Sequence, residues 1–140
     1  PWTVRHIINL PKDTSGWVIG YVVGEAYRSM ANADFSAKGE YGSNILLSYD
    51  SLCTTTSRCI AVELNTQKRK QACSLRFNKD LFRQCLMVHG KVQTYLDKKG
   101  LRDCDASLSL KGFDISLIDP QPEEWEQDTI TSWQAQAPAR

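Results

Sequence analysis

Covalent chemistry in this chain would have to come from His6, His89 and five cysteines, Cys53, Cys59, Cys73, Cys85 and Cys104. A cysteine nucleophile needs a histidine within hydrogen-bond reach and an electropositive surrounding for its thiolate. A Cys–His pair here could arise only across strands, and nothing in the spacing requires one. His89 is read as a surface strand residue. The cysteine spacings of 6, 14, 12 and 19 contain no CxxC pair, and neither histidine lies near a cysteine pair, which excludes a structural zinc site. Asp97, Asp103 and Asp105 fall close together and could hold a metal for hydrolysis, but their spacing equally suits solvated strand edges. Gly20-x-x-x-Gly24 is not followed by Lys-Ser/Thr, so it is no phosphate loop. The expectation is a domain that is not an enzyme and uses no cofactor or metal. Cys59, Cys85 and Cys104 sit in apolar patterns and read as buried thiols. A Cys53–Cys59 bridge closing a small loop stays open beside that reading.

Residues suited to binding are more numerous. Tyr27, Arg28, Phe35, Lys38 and Tyr41 share one long loop, Tyr49 follows, and Tyr95, Lys98, Lys99 and Arg102 surround a later turn. Aromatic faces stack on bases while Lys and Arg reach phosphates. The same aromatics stack on sugar rings, with Asn and Asp reading hydroxyls. A plainer reading stands beside this one: loop aromatics pin a loop to its domain, and Lys-Lys-Gly is an ordinary solvated turn. Lys68-Arg69-Lys70 reads as the solvated start of a helical region.

These residues need a frame, and the chain has room for one. It has 140 residues and a mass of 15.8 kDa, the size of one domain and too short for a large multi-domain enzyme. No apolar run approaches the roughly 18 residues of a membrane-spanning helix. Residues 1–118 carry a net charge of +5 and residues 119–140 a net −4, an arrangement compatible with an anionic ligand. The chain opens on Pro1 with no charged-then-apolar leader, as expected of a processed or trimmed protein.

Residues 3–9 form a short helix with Thr3 as cap, since Val4, Ile7 and Ile8 share a face. Residues 16–24, Gly-Trp-Val-Ile-Gly-Tyr-Val-Val-Gly, are a strand apolar on both faces. Gly20 marks a bend or a close backbone approach. Residues 25–43 are a long loop. Strands follow at 44–50 and 58–64, with Ile60, Val62 and Leu64 inward. Residues 67–84 hold helix: Ala72, Leu75 and Arg76 fit one turn, and Asn78 caps another. Residues 85–96 are a fourth strand. Asp97-Lys98-Lys99-Gly100 is the hairpin turn, with Gly100 at positive φ. Residues 101–110 return as a fifth strand, with Cys104, Ala106, Leu108 and Leu110 on one face. Residues 111–119 add a short extended piece. Beyond Pro120 runs a Pro-, Glu- and Gln-rich segment holding Trp125 and Trp133.

The order is helix, three strands, helix, two strands. A helix between strands 3 and 4 of five is the topology of the OB-fold, a partly open Greek-key barrel, and a sandwich does not explain it. The fold class is therefore mainly β, an OB-fold-like five-stranded Greek-key barrel with a short N-terminal helix. The domains are a barrel at 1–118 and an acidic, Trp-containing arm at 119–140. OB-folds bind across strands 2–3 with help from the 1–2 and 4–5 loops. That surface would hold Tyr27, Arg28, Phe35, Lys38, Tyr41, Tyr49, Tyr95, Lys98, Lys99 and Arg102.

The ordered set of Gly-Trp-Val-Ile-Gly-Tyr-Val-Val-Gly at 16–24, Ser-Asn-Ile-Leu-Leu at 43–47, Cys-Ile-Ala-Val-Glu-Leu at 59–64, Val-His-Gly-Lys-Val-Gln-Thr-Tyr-Leu at 88–96 and Gly-Leu-Arg-Asp at 100–103 carries a resemblance. It resembles a family of uncharacterised OB-like domains in exported proteins of gut anaerobic bacteria, over roughly residues 3–110. The resemblance implies an OB-like barrel, export to the periplasm or cell surface, and often a lipid anchor, here outside the sequence. It implies no activity and transfers no binding residue. The five cysteines and the acidic tail depart from the pattern. The expected function is recognition of an oligosaccharide or protein partner, with single-stranded nucleic acid binding or a purely structural adaptor role as alternatives.

Overall fold

The computed structural model describes residues 1–120. Its elements are β1 (Trp2–Thr3), α1 (Val4–Ile7), β2 (Ser15–Ala26), β3 (Ala33–Asp34), β4 (Asn44–Ser48), β5 (Cys59–Glu63), α2 (Gln67–Cys73), β6 (Cys85–Tyr95) and β7 (Lys98–Leu110). The hydrogen-bonded order runs β2-β4-β5-β7-β6, and β6 pairs again with β2, so five strands close into a ring. Every pairing in the ring is antiparallel except β5–β7, where Val62 faces Leu101 in parallel register. With α2 between the third and fourth ring strands, this is the OB-fold barrel.

The first ring strand must serve two neighbours. Its N-terminal half, Ser15–Tyr21, pairs with Lys91–Cys85 of β6, and its C-terminal half pairs with Ser48–Leu46 of β4. Gly20 lies at the changeover. A Cβ there would sit 3.0 Å from Leu47 Cβ and 3.2 Å from a Val4 methyl, so the strand crosses the barrel only without a side chain. Inward residues alternate along the strands: Val18 and Val22, Ile45 and Leu47, Ile60 and Val62, Leu86, Val88 and Val92, with Leu101 and Cys104. Val4 and Ile7 of α1 join this core. Because β2 is covered on its outer face too, through Ile19 and Val23, both of its faces are apolar.

Several local features depart from the sequence reading. The β6–β7 turn is Leu96-Asp97, both at positive φ (54° and 64°), and Lys98, Lys99 and Gly100 already belong to β7. Tyr95 opposite Lys98 leaves a two-residue loop, which requires left-handed backbone at both positions. Gly100 serves a close approach instead: a Cβ would lie 2.5 Å from Ala61 O. The register of β7 slips opposite His89 and Lys91, near Asp103 at φ 52°. Cys104 therefore points into the core while Ala106, Leu108 and Leu110 fall on the other side, Leu108 half exposed. The helix α2 is capped by Thr66, whose Oγ1 accepts from the Arg69 N–H, and it ends before Leu75 and Arg76. Asn78 precedes a single 3-10 turn, Lys79–Leu81, and makes no cap bond; its Nδ2 donates back to the Gln71 and Ser74 carbonyls. Arg69 is not solvated: it is buried and donates to Ser107 Oγ at 2.5 Å. Residues 115–117 form a 3-10 turn rather than an extended piece. Asp119 is fastened to the barrel, and the rest of the arm, with Trp125 and Trp133, lies outside the described residues.

Candidate functional site

The outer face of β4 and β5, where OB-folds take ligands, is filled by this chain itself. Leu46 and Ala61, register partners on that face, are buried under Met30, Cys53 and Cys59, with Phe35, Tyr95 and Leu96 packed around them. Phe35 is thus part of a plug made by the 27–43 segment and the β6–β7 turn. Other expected binding residues are engaged as well. Tyr95 receives a hydrogen bond from Asn44 Nδ2 at 3.3 Å and lies under the Arg102 guanidinium. Arg102 in turn forks onto Glu63, at 3.1 and 3.3 Å. Lys99 spends its ammonium on the Ile8 and Leu10 carbonyls, at 3.0 and 2.6 Å, closing the end of α1. Tyr49 donates to the Asp119 carbonyl on another part of the barrel. Lys98 remains exposed at the turn, and Lys38 is exposed beside Glu40 at 3.8 Å.

Lys98 and Lys99 line one cleft, of about 290 Å³, with Asp97 and Ile8, and three more of the ten come together elsewhere. Tyr27 and Tyr41 stack with centroids 4.0 Å apart and planes 21° apart, and the Arg28 guanidinium lies 4.9 Å from the Tyr27 ring centre. Arg28 adopts φ 64°, which turns the chain sharply beside the stack. Tyr41 is 42% exposed and forms one wall of a groove of about 230 Å³. Phe77, 55% exposed, lines the same groove with Gln67, Lys70 and Arg76. These last four escaped the sequence reading. The signal was Arg76-Phe77-Asn78-Lys79, an aromatic set among polar residues in a segment read as helix.

The groove is built by deliberate backbone anchoring. Glu25, at the end of β2 and nearly fully buried, accepts from the Tyr41 N–H at 3.0 Å and the Gly42 N–H at 2.9 Å. Asn44 holds Ala26 by a pair of bonds, Oδ1 accepting at 2.8 Å and Nδ2 donating at 2.7 Å. Gly39, at φ 59°, brings the loop so close to the 75–76 backbone that a Cβ would lie 2.4 Å from Leu75 C. Lys79 Nζ donates to the Lys38 carbonyl at 2.5 Å, tying the same two segments.

The family follows from the sequence spanned by this barrel: residues 2–110 match the model of a domain of unknown function, DUF6359. The chain belongs to the DUF6359 family. The matched segment of this DUF6359 domain contains the whole ring of strands and every residue of the groove. No curated protein matches the chain. Among solved structures, the hypothetical protein ygiW from E. coli is similar at 14% identity and a TM-score of 0.47, covering 78% of this chain and 88% of that one.

No histidine or cysteine of the described DUF6359 domain lines this groove. His89 Nδ1 is 2.7 Å from Asp105 and its ring meets Trp17 edge-on at 5.4 Å, on the outside of β2 and β6. Burial pushes the Cys85 thiol up to about 11 and the Cys104 thiol to about 12, so both stay protonated. Cys53 differs: a hydrogen bond from the Cys59 side chain lowers its pKa, and Cys59 is raised in return.

Proposed function

We propose that this domain is a non-enzymatic recognition module of an exported protein, and that it takes an oligosaccharide in the groove between Tyr41 and Phe77. The observation that carries the reading is one groove lined by two exposed aromatic side chains, Tyr41 and Phe77, together with the polar Gln67, Lys70 and Arg76. Apolar sugar faces pack on aromatic rings, and the amide and cationic groups hydrogen-bond hydroxyls or a sugar carboxylate. The Tyr27 stack and the Glu25 bonds hold Tyr41 in place before a ligand arrives, which limits the ordering cost of binding. Export rests on the resemblance noted in the sequence.

Lys70 and Arg76 also favour a second reading, single-stranded nucleic acid with bases on the aromatics and phosphates on the cations. The two part company over salt. Phosphate-driven binding falls steeply between about 50 and 200 mM salt, whereas sugar stacking does not. Calorimetric titration with neutral and acidic oligosaccharides picked from a glycan array is expected to show binding that Tyr41→Ala weakens at least about tenfold, a loss near 1.4 kcal/mol. An array without a hit, together with oligonucleotide binding that collapses with salt, overturns the oligosaccharide reading in favour of nucleic acid. Absence of both leaves the structural role.

A further inference from the structure

Cys53 and Cys59 stand apart from the other three cysteines. Cys73 and Cys104 belong to the barrel core, and Cys85 packs with Ile19 and Ile115. Cys53 and Cys59 share the cluster on the outer face of β4 and β5. Their sulfurs address successive carbonyls of one turn: Cys53 Sγ lies 3.2 Å from Thr55 O and Cys59 Sγ 3.8 Å from Thr56 O. Cys59 is the register partner of Ser48 across β4 and β5, at the base of the loop that carries Cys53. Both are free thiols here.

We propose that Cys53 and Cys59 are a dithiol that a small-molecule disulfide converts to an intrachain disulfide, stapling the 49–58 loop to the barrel. Thiol–disulfide exchange needs an attacking thiolate and a second sulfur beside it. Of the two, Cys53 is the one whose pKa is lowered, by the neighbouring Cys59 side chain, so it is the attacking sulfur. Cys53 sulfur attacks one sulfur of the small disulfide, whose S–S bond breaks and releases a first thiolate. Cys59 sulfur then attacks the Cys53 sulfur of the mixed disulfide, forming the Cys53–Cys59 bond and releasing the second. The two cysteines lose two electrons, the small disulfide gains them, and the two cysteine protons pass to the two departing thiolates. Burial of both cysteines slows entry of the reagent but does not change where the equilibrium lies.

The test equilibrates the folded chain in buffers of graded reduced and oxidised glutathione, blocks free thiols by alkylation, and maps tryptic peptides by mass spectrometry. Cleavage after Arg58 separates Cys53, in peptide 39–58, from Cys59, in peptide 59–68, and every other cysteine falls in its own peptide. The expected result is a linked 39–58/59–68 species at oxidising poise that reduction separates. Cys73, Cys85 and Cys104 are then alkylated once the blocked chain is denatured. The oxidised form is expected to melt about 5 °C or more above the reduced one, because closing a short loop restricts the unfolded chain. Cys53→Ser should leave Cys59 a thiol at every poise. Both peptides unlinked at the oxidising end, Cys53 carrying glutathione without closure, or any other pair linked in place of this one overturns the proposal. The wild-type peptide map decides the matter even if a serine variant fails to fold.

Discussion

Glu25 shows how one residue can hold a groove that it does not itself line. Its carboxylate accepts from two successive amides, Tyr41 and Gly42, in a buried position. Two N–H groups converging on one carboxylate are charge-assisted bonds, stronger than neutral ones. Glu25→Gln turns one acceptor oxygen into an amide that faces an N–H, so one donor is left buried without a partner. The expected cost is about 1–3 kcal/mol in urea unfolding. Hydrogen exchange should speed at Tyr41 and Gly42 ahead of the barrel strands, and an unchanged exchange rate there would count against this role. Sequence reading placed Tyr41 among binding residues on residue type and loop membership. It passed over Glu25, because an acid beside a strand end has no marker of burial in one sequence. Arg69 misled for the same reason: two lysines around it mark a solvated face, yet its side chain turns inward to Ser107.

At the scale of elements, period and composition were enough for the five ring strands and for the helix between β5 and β6, but not for the two-residue strands β1 and β3. The 25–43 segment, read as one long loop, instead holds the end of β2, a 3-10 turn and β3, which folds back on Glu25 and Ala26, and its covering of the outer face of β4 and β5 depends on contacts distant in sequence. The β6–β7 turn was misassigned because Gly100 is the obvious positive-φ residue. The two-residue loop instead forces Leu96 and Asp97 there, and Gly100 is spent on Ala61. The slip near Asp103 sets Cys104 alone out of step with the strand's alternation, which no alternation rule foresees before the bulge is known. The groove depends on a similar close approach at Gly39. Gly39→Ala puts a Cβ against the 75–76 backbone at a left-handed position, so both clash and strain oppose it. A loss of about 2 kcal/mol or more is expected in chemical denaturation, together with loss of ligand binding in the groove. Ser43→Ala in the same loop lacks that clash and serves as the control for general loop sensitivity.

The whole molecule closes on itself twice. The ring of strands closes through β2 and β6, and the two ends of the described chain meet at Asp119. That carboxylate takes Arg5 Nη2 at 2.9 Å, Arg5 Nε at 3.2 Å and the Thr3 hydroxyl at 2.5 Å, while Tyr49 donates to its backbone carbonyl. Burial alone would raise the Asp119 pKa, but the Arg5 and Thr3 bonds and the charges of Arg5 and His6 outweigh it, and the group titrates below the ordinary carboxylate range. A carboxyl lowered in the folded state contributes stability above its unfolded pKa, near 3.9, and that contribution is lost as pH falls through the folded value. His6 adds to the same trend from higher pH. Burial lowers its pKa, so the stability it contributes is present above its unfolded pKa near 6.5 and is lost as pH falls below it. Asp119→Asn removes the charge but keeps the size. At neutral pH it should lose about 2 kcal/mol, the scale of hydrogen bonds to a charged group. The gap between variant and wild type should narrow below about pH 4 and vanish once both carry an uncharged group, while the His6 slope should be steeper in the variant, which lacks the Asp119 charge that raises the His6 pKa. Urea titrations of the two proteins from pH 7 to pH 3 test this. A gap that stays constant across that range would mean that the carboxylate charge does not hold the chain ends together.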